Sequence, residues 1–431
     1  MKDLPLLFDA VVFDLDGTLV ATDRFWVDAA RIGARRAFQE LGLERDLPSA
    51  PEWMSLVGLP LAQGFDVLFA DLTPAQRKIV MERCVEEETK ALSAGRAALI
   101  PGVEAMLTAL KARGVKLGIA SNCGQAYLDS MMNELGLARW IDEARCLDSA
   151  GVRSKTAMVT DLLDAFETRA AVMVGDRTGD RDAAWQNGLP HVHCARGFAV
   201  DGETVECEGR IEDMGELVPR LERRAQWIAA ALQQLGFASA NPPRSIGITG
   251  HTGSGKTLIA RDVERVLAAF GRRAVVLALD DFQKPEVSAQ DLTSTAFAPA
   301  DRPLELLRHA YDVEQLSALV LDPHRAGHAI DVTFRSQHIV LATSDVLVFH
   351  GPFLLHPDLR SRLERVVHLE ASDSVCLRRI AARDARASGP EGLLRLRRSA
   401  LPAQRGFDAL VPPARTADLV IDGDNALGPP A

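Results

Sequence analysis

The sequence predicts an α/β protein with two doubly wound parallel-sheet domains. Short apolar runs such as AVVFD (10–14), VKLGIA (115–120) and AVMVG (171–175) alternate with helical segments, and the alternation resumes after residue 243 with SIGIT, AVVLALD, DVLVFH, RVVHLE and ADLVID. Strands that are covered by helices on both faces are apolar throughout, so this pattern is typical of parallel sheets. At 431 residues the chain is also too long for one ordinary core.

Changes along the chain predict where these domains begin and end. From about residue 20 to 98 the sequence has helical periodicity, as in RFWVDAARIGARRAFQEL, which predicts a helical cap inserted into a first domain over 1–215. EDMGELVPRLERRAQWIAAALQQL reads as a long amphipathic helix, and GFASANPPRS after it contains two prolines. We therefore expect a helix and linker over 216–242 and a second domain over 243–431.

Composition and charge narrow the class of protein. A net charge of −10 argues against non-specific binding to nucleic acid, which usually needs a basic face. The six cysteines form no CxxC pair, which is typical of reduced thiols and predicts a cytoplasmic location. The apolar start of the chain is interrupted by Asp9 and Asp14 before it could cross a membrane, so no membrane association is expected.

Acidic residues follow two of the predicted strands. FDLDGT places Asp14 and Asp16 after the first strand, and VGDRTGD places Asp176 and Asp180 after a later one. Open α/β sheets bind ligands at the carboxyl ends of their strands, so we expect these carboxylates to share one crevice. Neighbouring carboxylates repel one another unless a cation lies between them, and oxygen ligands of this kind suit Mg²⁺.

A hydroxyl and a cation complete this candidate site, namely Ser121 at the end of LGIAS and Lys155 in GVRSKTAM. In order, the four segments resemble the four short motifs of the haloacid dehalogenase (HAD) superfamily over about the first 215 residues. The resemblance implies a Rossmann-like core with an inserted cap and an aspartyl-phosphate mechanism, in which Asp14 attacks phosphorus. Asp16 would protonate the leaving oxygen and then activate water.

The resemblance also implies the ligands of Mg²⁺ and of the phosphoryl group. The metal would be held by Asp14, the backbone carbonyl of Asp16, and Asp176, while Ser121 and Lys155 would neutralise the transferring phosphoryl group. In the same scheme Asp180 orients metal-bound water or Lys155. Because Lys155 lacks the proline-containing context common in the family, Arg153 remains open as a residue that shares its role.

Asp16 and the predicted cap indicate which class of substrate the first domain would accept. An acid/base at Asp16 favours a phosphatase over a dehalogenase, and a cap that covers the crevice favours small phosphate esters. GTLVATDRF and WMSLVGLPL resemble cap segments of phosphoglycolate-phosphatase-like members of the superfamily. Two interpretations of Arg24, Trp26 and Trp53 remain open, as contacts to substrate or as core and hinge of the cap.

A second candidate site is the segment GHTGSGKT, which follows the predicted strand SIGIT and precedes the predicted helix LIARDVERVLAAF. This is the setting of a Walker A phosphate-binding loop, whose backbone N–H groups surround an anion. Lys256 would reach the outer phosphates, and Thr257 would offer a hydroxyl to Mg²⁺. The nucleotide-binding residues would be Gly250, His251, Thr252, Gly253, Ser254, Gly255, Lys256 and Thr257.

The rest of the second domain resembles the uridine kinase-like branch of P-loop phosphotransferases, through LALDDFQKP, LRHAYDVEQL, VLVFHGPFLLHPDL, LRRIAARD and ADLVIDGDN in that order. The resemblance implies a P-loop NTPase fold and transfer of the γ-phosphate of ATP to a small hydroxylated acceptor such as a nucleoside. It implies that either Asp280 or Asp281 is the base and that the other anchors metal-bound water, and we take Asp280 as the base. Tyr311 and Asp312 would line the acceptor site.

Two features of this domain leave alternatives open. Arg379 and Arg383 would close over the phosphates as a lid, or they form a solvated basic helix face. His350 stands where the related pattern has an acid that helps to hold Mg²⁺. Either the metal is held by Thr257, phosphates, water and the aspartate pair, or transfer is weak or absent, or His350 contacts an unusual acceptor.

The leading hypothesis is a bifunctional enzyme, a phosphomonoesterase followed by a small-molecule kinase. Polynucleotide end healing is an alternative that the covering cap and the acidic balance count against. A third hypothesis makes the second domain a nucleotide sensor that regulates the phosphatase.

Overall fold

The computed structural model describes residues 4–200, 202–285, 287, 304–335, 337–384, 397 and 400–428. The chain divides into two compact units, one of which is Phe8–Leu221 and the other the rest of the described chain. We call these the N-terminal unit and the C-terminal unit. The division falls within the helix Leu217–Gln234.

The N-terminal unit is built on a parallel sheet. Its strands are β1 (Ala10–Phe13), β2 (Lys116–Ala120), β3 (Glu143–Arg145), β4 (Ala171–Gly175), β5 (His191–Cys194) and β6 (Gly209–Ile211). They lie in the order β3-β2-β1-β4-β5-β6, and every pair is parallel. The chain leaves β1 toward one side of the sheet and later returns to the other side. The carboxyl end of β1 is therefore the switch point at which such sheets bind ligands.

The helices of this unit form two groups. Those between β1 and residue 98 are α1 (Trp26–Leu41), α2 (Ala50–Met54), α3 (Leu61–Leu68) and α4 (Pro74–Ser93). The others are α5 (Val103–Ala112), α6 (Gln125–Glu134), α7 (Lys155–Ala165) and α8 (Thr178–Gln186). Helix α4 begins where Thr73 Oγ1 accepts a hydrogen bond from Gln76 N (3.3 Å), with Pro74 next, a favourable start for a helix.

The first group of helices has an aromatic core of its own. The rings of Trp26 and Trp53 meet edge to face with centroids 6.1 Å apart, and Phe65 and Phe69 pack against Trp53. Trp26 Nε1 also donates to the carbonyl of Trp53 (3.2 Å). Both tryptophans are buried, whereas Arg24 is exposed. The structure therefore places both tryptophans in the core of this group of helices.

The C-terminal unit contains a second parallel sheet. Its order is β13-β12-β7-β11-β8, and an antiparallel pair, β9 and β10, stands apart from it. The strands are β7 (Ser245–Gly250), β8 (Ala274–Ala278), β9 (Ile330–Phe334), β10 (Gln337–Leu341), β11 (Val346–His350), β12 (Arg365–Glu370) and β13 (Leu419–Asp422). Strand β7 is central, so the carboxyl end of β7 is the switch point of this sheet.

The helices from residue 217 onward are α9 (Leu217–Gln234), α10 (Lys256–Ala269), α11 (Leu306–Ala310), α12 (Val313–Leu316), α13 (Asp322–Arg325), α14 (Pro357–Arg360), α15 (Asp373–Asp384), α16 (Leu401–Leu410) and α17 (Pro413–Thr416). Over the described residues, no helix is long and apolar enough to cross a membrane.

The predicted α/β class with parallel sheets is confirmed. The apolar runs at 10–14, 115–120 and 171–175 coincide with β1, β2 and β4. The sequence did not predict β3, β5 and β6, which are short and interrupted by charged residues or histidines, or the β9–β10 pair, whose residues alternate between buried and more exposed positions. Such strands lack the continuous apolar run by which a fully buried parallel strand is recognised.

Candidate active site

Three predicted acids meet at the carboxyl end of the N-terminal sheet. Asp14 follows β1, Asp176 follows β4, and Asp180 lies in the first turn of α8. A carboxylate oxygen from each lies within 4.8 Å of those of the other two, and all three residues are buried. We call Asp14, Asp176 and Asp180 the acidic triad. The three are brought together because β1 and β4 are neighbours in the sheet.

Lys155 ties two of these acids together. Its Nζ donates to Asp14 Oδ1 and to Asp180 Oδ1, each at 2.7 Å, and the lysine is 7% exposed. Burial alone would lower the pKa of Lys155, but the two carboxylates outweigh that effect and raise it, so the ammonium stays charged. Arg153, the other candidate cation, is exposed.

Asp180 is fixed by its own backbone contacts. Its Oδ2 accepts from Asp176 N (3.0 Å) and Arg177 N (2.9 Å), while Oδ1 faces Lys155. A Cβ at Gly175 would lie 2.3 Å from Cγ of Asp180, so glycine is required for this close approach. The contact with Lys155 agrees with a role for Asp180 in orienting that lysine.

The acidic triad has the features of a cation site. Asp14 Oδ2 and Asp176 Oδ1 are buried and have no hydrogen-bond partner among the described residues. Burial and the neighbouring Asp180 raise the pKa of Asp14 to about 7, and burial and Asp14 raise the pKa of Asp176 well above its usual range. Buried acceptors without a donor are costly, and a hard divalent cation such as Mg²⁺ would satisfy both.

Adding Mg²⁺ to the metal-free, full-length protein is expected to raise the unfolding temperature of the N-terminal unit. An ion that binds only the folded state, at about 100 times its Kd, adds about 2.7 kcal/mol of stability. Calorimetry in EDTA and in Mg²⁺ would measure the shift. Asp176→Asn should lose most of it, whereas Asp182→Asn, at an exposed position of α8, should keep it. An unchanged response in Asp176→Asn would contradict the metal site.

The Asp16 carboxyl is bound by two hydroxyl groups that the sequence did not single out. Thr22 Oγ1 donates to Asp16 Oδ1 at 2.5 Å, and the Tyr127 hydroxyl donates to the same oxygen at 2.6 Å. Burial raises the pKa of Asp16, in opposition to these two hydrogen bonds. Thr22 follows Asp16 closely in sequence, but nothing near Tyr127 marks it as a partner of an acid 111 residues away.

Ser121 lies at the same end of the sheet. It is buried directly after β2, the strand beside β1, and its Oγ accepts from Cys123 N at 3.4 Å. The predicted hydroxyl, acids and lysine of the N-terminal unit therefore follow β1, β2 and β4 or begin the adjoining helices α7 and α8.

The predicted phosphate-binding loop, residues 250–257, joins β7 to α10 in the C-terminal unit. Gly253 and Gly255 have positive φ angles of 85° and 99°. Lys256 Nζ donates to the carbonyl of His251 (2.8 Å), and a Cβ at Gly253 would lie 2.5 Å from the carbonyl oxygen of Cys376. The loop therefore requires glycine where it approaches α15.

Helix α16 binds this loop through residues that the sequence did not predict. Gln404 Oε1 accepts from Thr252 N (2.8 Å), and Gln404 Nε2 donates to Thr252 Oγ1 (2.9 Å). His251 Nε2 and Asp408 Oδ2 are 2.9 Å apart. Gln404 and Asp408 lie one helical turn apart on α16. The sequence could not mark them as partners of the loop, because their contacts depend on how α16 packs against it.

His350 ends β11, between β7 and β8, and is 8% exposed. Burial lowers the pKa of His350, and this effect outweighs the negative charge of Asp280, which would raise it. The imidazole is therefore neutral at neutral pH. Asp280 is exposed and accepts from the Tyr311 hydroxyl (3.2 Å). Asp281 instead accepts from Ala278 N (3.0 Å).

Of the two predicted lid arginines, Arg379 lies beside the phosphate-binding loop. Arg379 Nη1 donates to the carbonyls of Ser254 (3.1 Å) and Gly423 (2.8 Å), so its guanidinium contacts backbone next to the loop. The side chain of Arg383 lies outside the described part of the chain.

Two further predicted residues of this unit lie at helix starts. Thr257 is exposed at the start of α10, and Asp312 caps α12 by accepting from Gln315 N (3.3 Å).

The N-terminal unit is similar to a known protein family. A family model described as haloacid dehalogenase-like hydrolase matches residues 11–193. A phosphoglycolate phosphatase from Synechococcus elongatus is 28% identical over 191 residues, which are 44% of this chain and 84% of that protein. One from Rhodospirillum rubrum is 30% identical over 204 residues, 44% of this chain and 80% of that protein.

A solved structure, CbbY from Rhodobacter sphaeroides in complex with phosphate, is 18% identical and covers 49% of this chain and 96% of that chain with a TM-score of 0.41. The family model begins within β1 and ends within β5, so it spans Asp14, Ser121 and Asp176 and all or part of the strand that each of them follows. The family match and the Rhodospirillum relative, most of whose length is aligned, lead to one conclusion. Through its N-terminal unit, the chain belongs to the haloacid dehalogenase-like hydrolases.

Proposed function

We propose that the N-terminal unit is an Mg²⁺-dependent phosphatase that hydrolyses small phosphate monoesters through a phosphorylated Asp14. One observation carries the proposal, the buried cluster in which Lys155 contacts Asp14 and Asp180 while Asp176 lies beside them. The cluster combines a nucleophile, a fixed positive charge and oxygen ligands for a metal, which are the groups that phosphoryl transfer requires.

The reaction has two displacements. In the first, an oxygen of Asp14 attacks phosphorus, the ester P–O bond breaks, and Asp16 donates a proton to the leaving oxygen. In the second, water attacks the phosphorus of the aspartyl phosphate and gives a proton to Asp16. Inorganic phosphate leaves and Asp14 is regenerated. Lys155 and the Ser121 hydroxyl neutralise charge on the phosphoryl oxygens, and bound Mg²⁺ supplies further charge neutralisation.

Two observations support small substrates. The helices α1–α4 are inserted after β1, the strand that Asp14 follows, where a cap can close over the carboxyl end of the sheet. The relatives are named phosphoglycolate phosphatases, which makes 2-phosphoglycolate the first ester to test. A carboxylate-bearing ester, a polyol phosphate and a nucleoside monophosphate differ in the charge and size that a cap has to accept.

Phosphate release by the full-length protein from those three esters, with Mg²⁺ and with EDTA, tests the proposal. We expect release that requires Mg²⁺ and that prefers a small ester to the nucleotide. Release that continues in EDTA, or no release from any ester, would contradict it. Removal of a 3′-phosphate from an oligonucleotide in preference to the small esters would instead support end healing.

We extend the proposal to the C-terminal unit, as an ATP-dependent kinase for a hydroxylated small molecule such as a nucleoside. A specific observation favours it, the glycine-containing loop 250–257 at the switch point of the second parallel sheet, directly before α10. Backbone N–H groups at such a loop bind phosphate. Exposed Asp280, which follows β8 at the same end of this sheet, is the candidate base.

His350→Asp is expected to keep or raise the kinase activity by up to about 10-fold, because a carboxylate is a better Mg²⁺ ligand than a neutral imidazole. Acceptor-dependent ADP formation with a panel of nucleosides would measure the effect, and Lys256→Ala serves as the inactive control. A loss of 10-fold or more would give His350 a role of its own. ATP binding without transfer to any acceptor would favour a nucleotide sensor, and strong labelling of oligonucleotide 5′ ends would favour end healing.

A further inference from the structure

Among the described residues, the two side-chain hydrogen bonds to the Asp16 carboxyl reach the same oxygen. Thr22 Oγ1 and the Tyr127 hydroxyl both donate to Oδ1, at 2.5 and 2.6 Å. A carboxylate oxygen that accepts two hydroxyl protons is well satisfied, and it is a poor base compared with its partner oxygen. The two hydrogen bonds therefore make the oxygens of Asp16 unequal. Oδ1 is occupied by the two hydroxyl groups, whereas Oδ2 is the better placed oxygen to exchange a proton with substrate or water.

Tyr127 reaches Asp16 from a different element from Thr22. It lies in the first turn of α6, whereas Thr22 lies in the short 3₁₀ helix before α1. Two anchors from separate segments restrict rotation of the Asp16 side chain more than one anchor does. The arrangement is typical of a group that orients a reacting side chain.

The Tyr127 hydroxyl uses its only proton in the hydrogen bond to Asp16. A tyrosine hydroxyl has one proton, and that of Tyr127 points at Asp16 Oδ1, so it cannot at the same time be donated to a substrate oxygen. The Tyr127 hydroxyl therefore holds Asp16 and is not available to protonate the substrate.

We propose that Tyr127 is a positioning residue that, together with Thr22, holds Asp16 by Oδ1 and leaves Oδ2 as the atom that gives the proton to the leaving oxygen. This inference rests on the phosphatase function proposed above. In the first displacement the Oδ2–H bond breaks, the proton moves to the departing ester oxygen, and the P–O bond breaks with it. In the second displacement Oδ2 takes a proton from water.

The loss of activity on removal of the Tyr127 hydroxyl should depend on the leaving group. An alkyl phosphate loses an alkoxide that requires the proton from Asp16. Acetyl phosphate and p-nitrophenyl phosphate lose anions that are stable without one. Because kcat/KM reports the first irreversible step, removal of the phenol should lower kcat/KM for the alkyl ester only. General acids contribute about 10²- to 10⁴-fold, and loss of one of two anchors should cost roughly 10- to 100-fold of that.

Tyr127→Phe, Thr22→Val and the double variant of the full-length protein would be compared with the wild type on glycerol phosphate, p-nitrophenyl phosphate and acetyl phosphate, with saturating Mg²⁺. We expect a 10- to 100-fold loss for glycerol phosphate, less than about 2-fold for the other two, and less than additive losses in the double variant. Ser130→Ala removes a hydroxyl from α6 that bonds Ala126 O (2.9 Å) and should have no effect.

Inhibition by inorganic phosphate reports whether the rest of the site is intact, and we expect its inhibition constant to be unchanged in Tyr127→Phe. Equal losses on all three substrates, or weakened inhibition by phosphate, would assign Tyr127 a merely structural role and overturn the inference. An unchanged kcat/KM for glycerol phosphate would overturn it as well. If the wild type releases phosphate from none of the three substrates, the proposed phosphatase function itself fails, which is a different result.

Discussion

Asp14→Asn is expected to release phosphate from every ester at least about 1,000-fold more slowly than the wild type, because an amide cannot form the aspartyl phosphate through which both displacements pass. The substitution keeps the shape of a side chain that is 1% exposed and removes its charge. It also replaces an ionic contact with Lys155 Nζ, now at 2.7 Å, by a neutral hydrogen bond. We therefore expect a correctly folded protein without activity.

Asp28→Asn is the matched control, since it changes an exposed acid on α1 and should retain full activity. Rapid acid quench of the wild type during turnover, followed by mass spectrometry of its peptides, should detect one phosphoryl group on the peptide that contains Asp14. Retention of more than a tenth of the activity in Asp14→Asn would contradict this nucleophile. So would a phosphoryl group found only on a different residue.

The sequence could predict which residues share the N-terminal site because the sheet is parallel. Asp14, Ser121 and Asp176 each follow an apolar run, and the carboxyl ends of parallel strands meet whichever strands are neighbours. Lys155 and Asp180 belong to short motifs at helix starts that the family resemblance supplied. The position of a residue at the end of a strand can therefore be predicted without knowing how the side chains pack.

The contacts to Asp16 and to the phosphate-binding loop could not be predicted in this way. Tyr127 and Gln404 come from helices, and a helical side chain reaches its partner only when the helix packs at one angle and register. A single tyrosine or glutamine in an amphipathic helix has no periodicity of its own. Trp26 and Trp53 show the same limit, because the sequence could not separate a substrate contact from the core of the cap.

His350 is an intermediate case. Its position at the end of a predicted strand, where the related pattern has an acid, could be read from the sequence. The neutral state of its imidazole depends on burial and on the balance between Asp280 and Lys256, which belong to other segments. The position of the histidine is therefore visible in the sequence, whereas its charge state depends on the fold.

Lys155→Met is expected to lower the free energy of unfolding of the N-terminal unit as well as its activity. The substitution leaves two buried carboxylates without their shared cation, and breaking a buried pair by removing one partner costs about 3–5 kcal/mol. At roughly 2–4 °C per kcal/mol for a domain of this size, the unfolding temperature should fall by roughly 6–20 °C. Calorimetry in EDTA measures this fall without a bound metal to mask it.

The loss should also depend on pH. Asp14 holds its proton more tightly in the folded protein, where its pKa is about 7, than in the unfolded chain, where its pKa is near 3.8, so stability falls as pH rises through that window. Lys155 lowers the folded-state pKa of Asp14, and its removal should extend the window upward. The difference from the wild type should therefore be larger near about pH 8.5 than near about pH 6.

Two companion variants separate this charge effect from a loss of packing. Lys116→Met makes the same change at an exposed position of β2 and should leave the unfolding temperature unchanged. Adding Asp180→Asn to Lys155→Met removes one of the unpaired charges and should restore part of the lost stability, with the gain greatest at high pH. If the double variant is no more stable than Lys155→Met, or if the loss is the same at both pH values, the aliphatic stem of Lys155 and not its charge holds the acidic triad together.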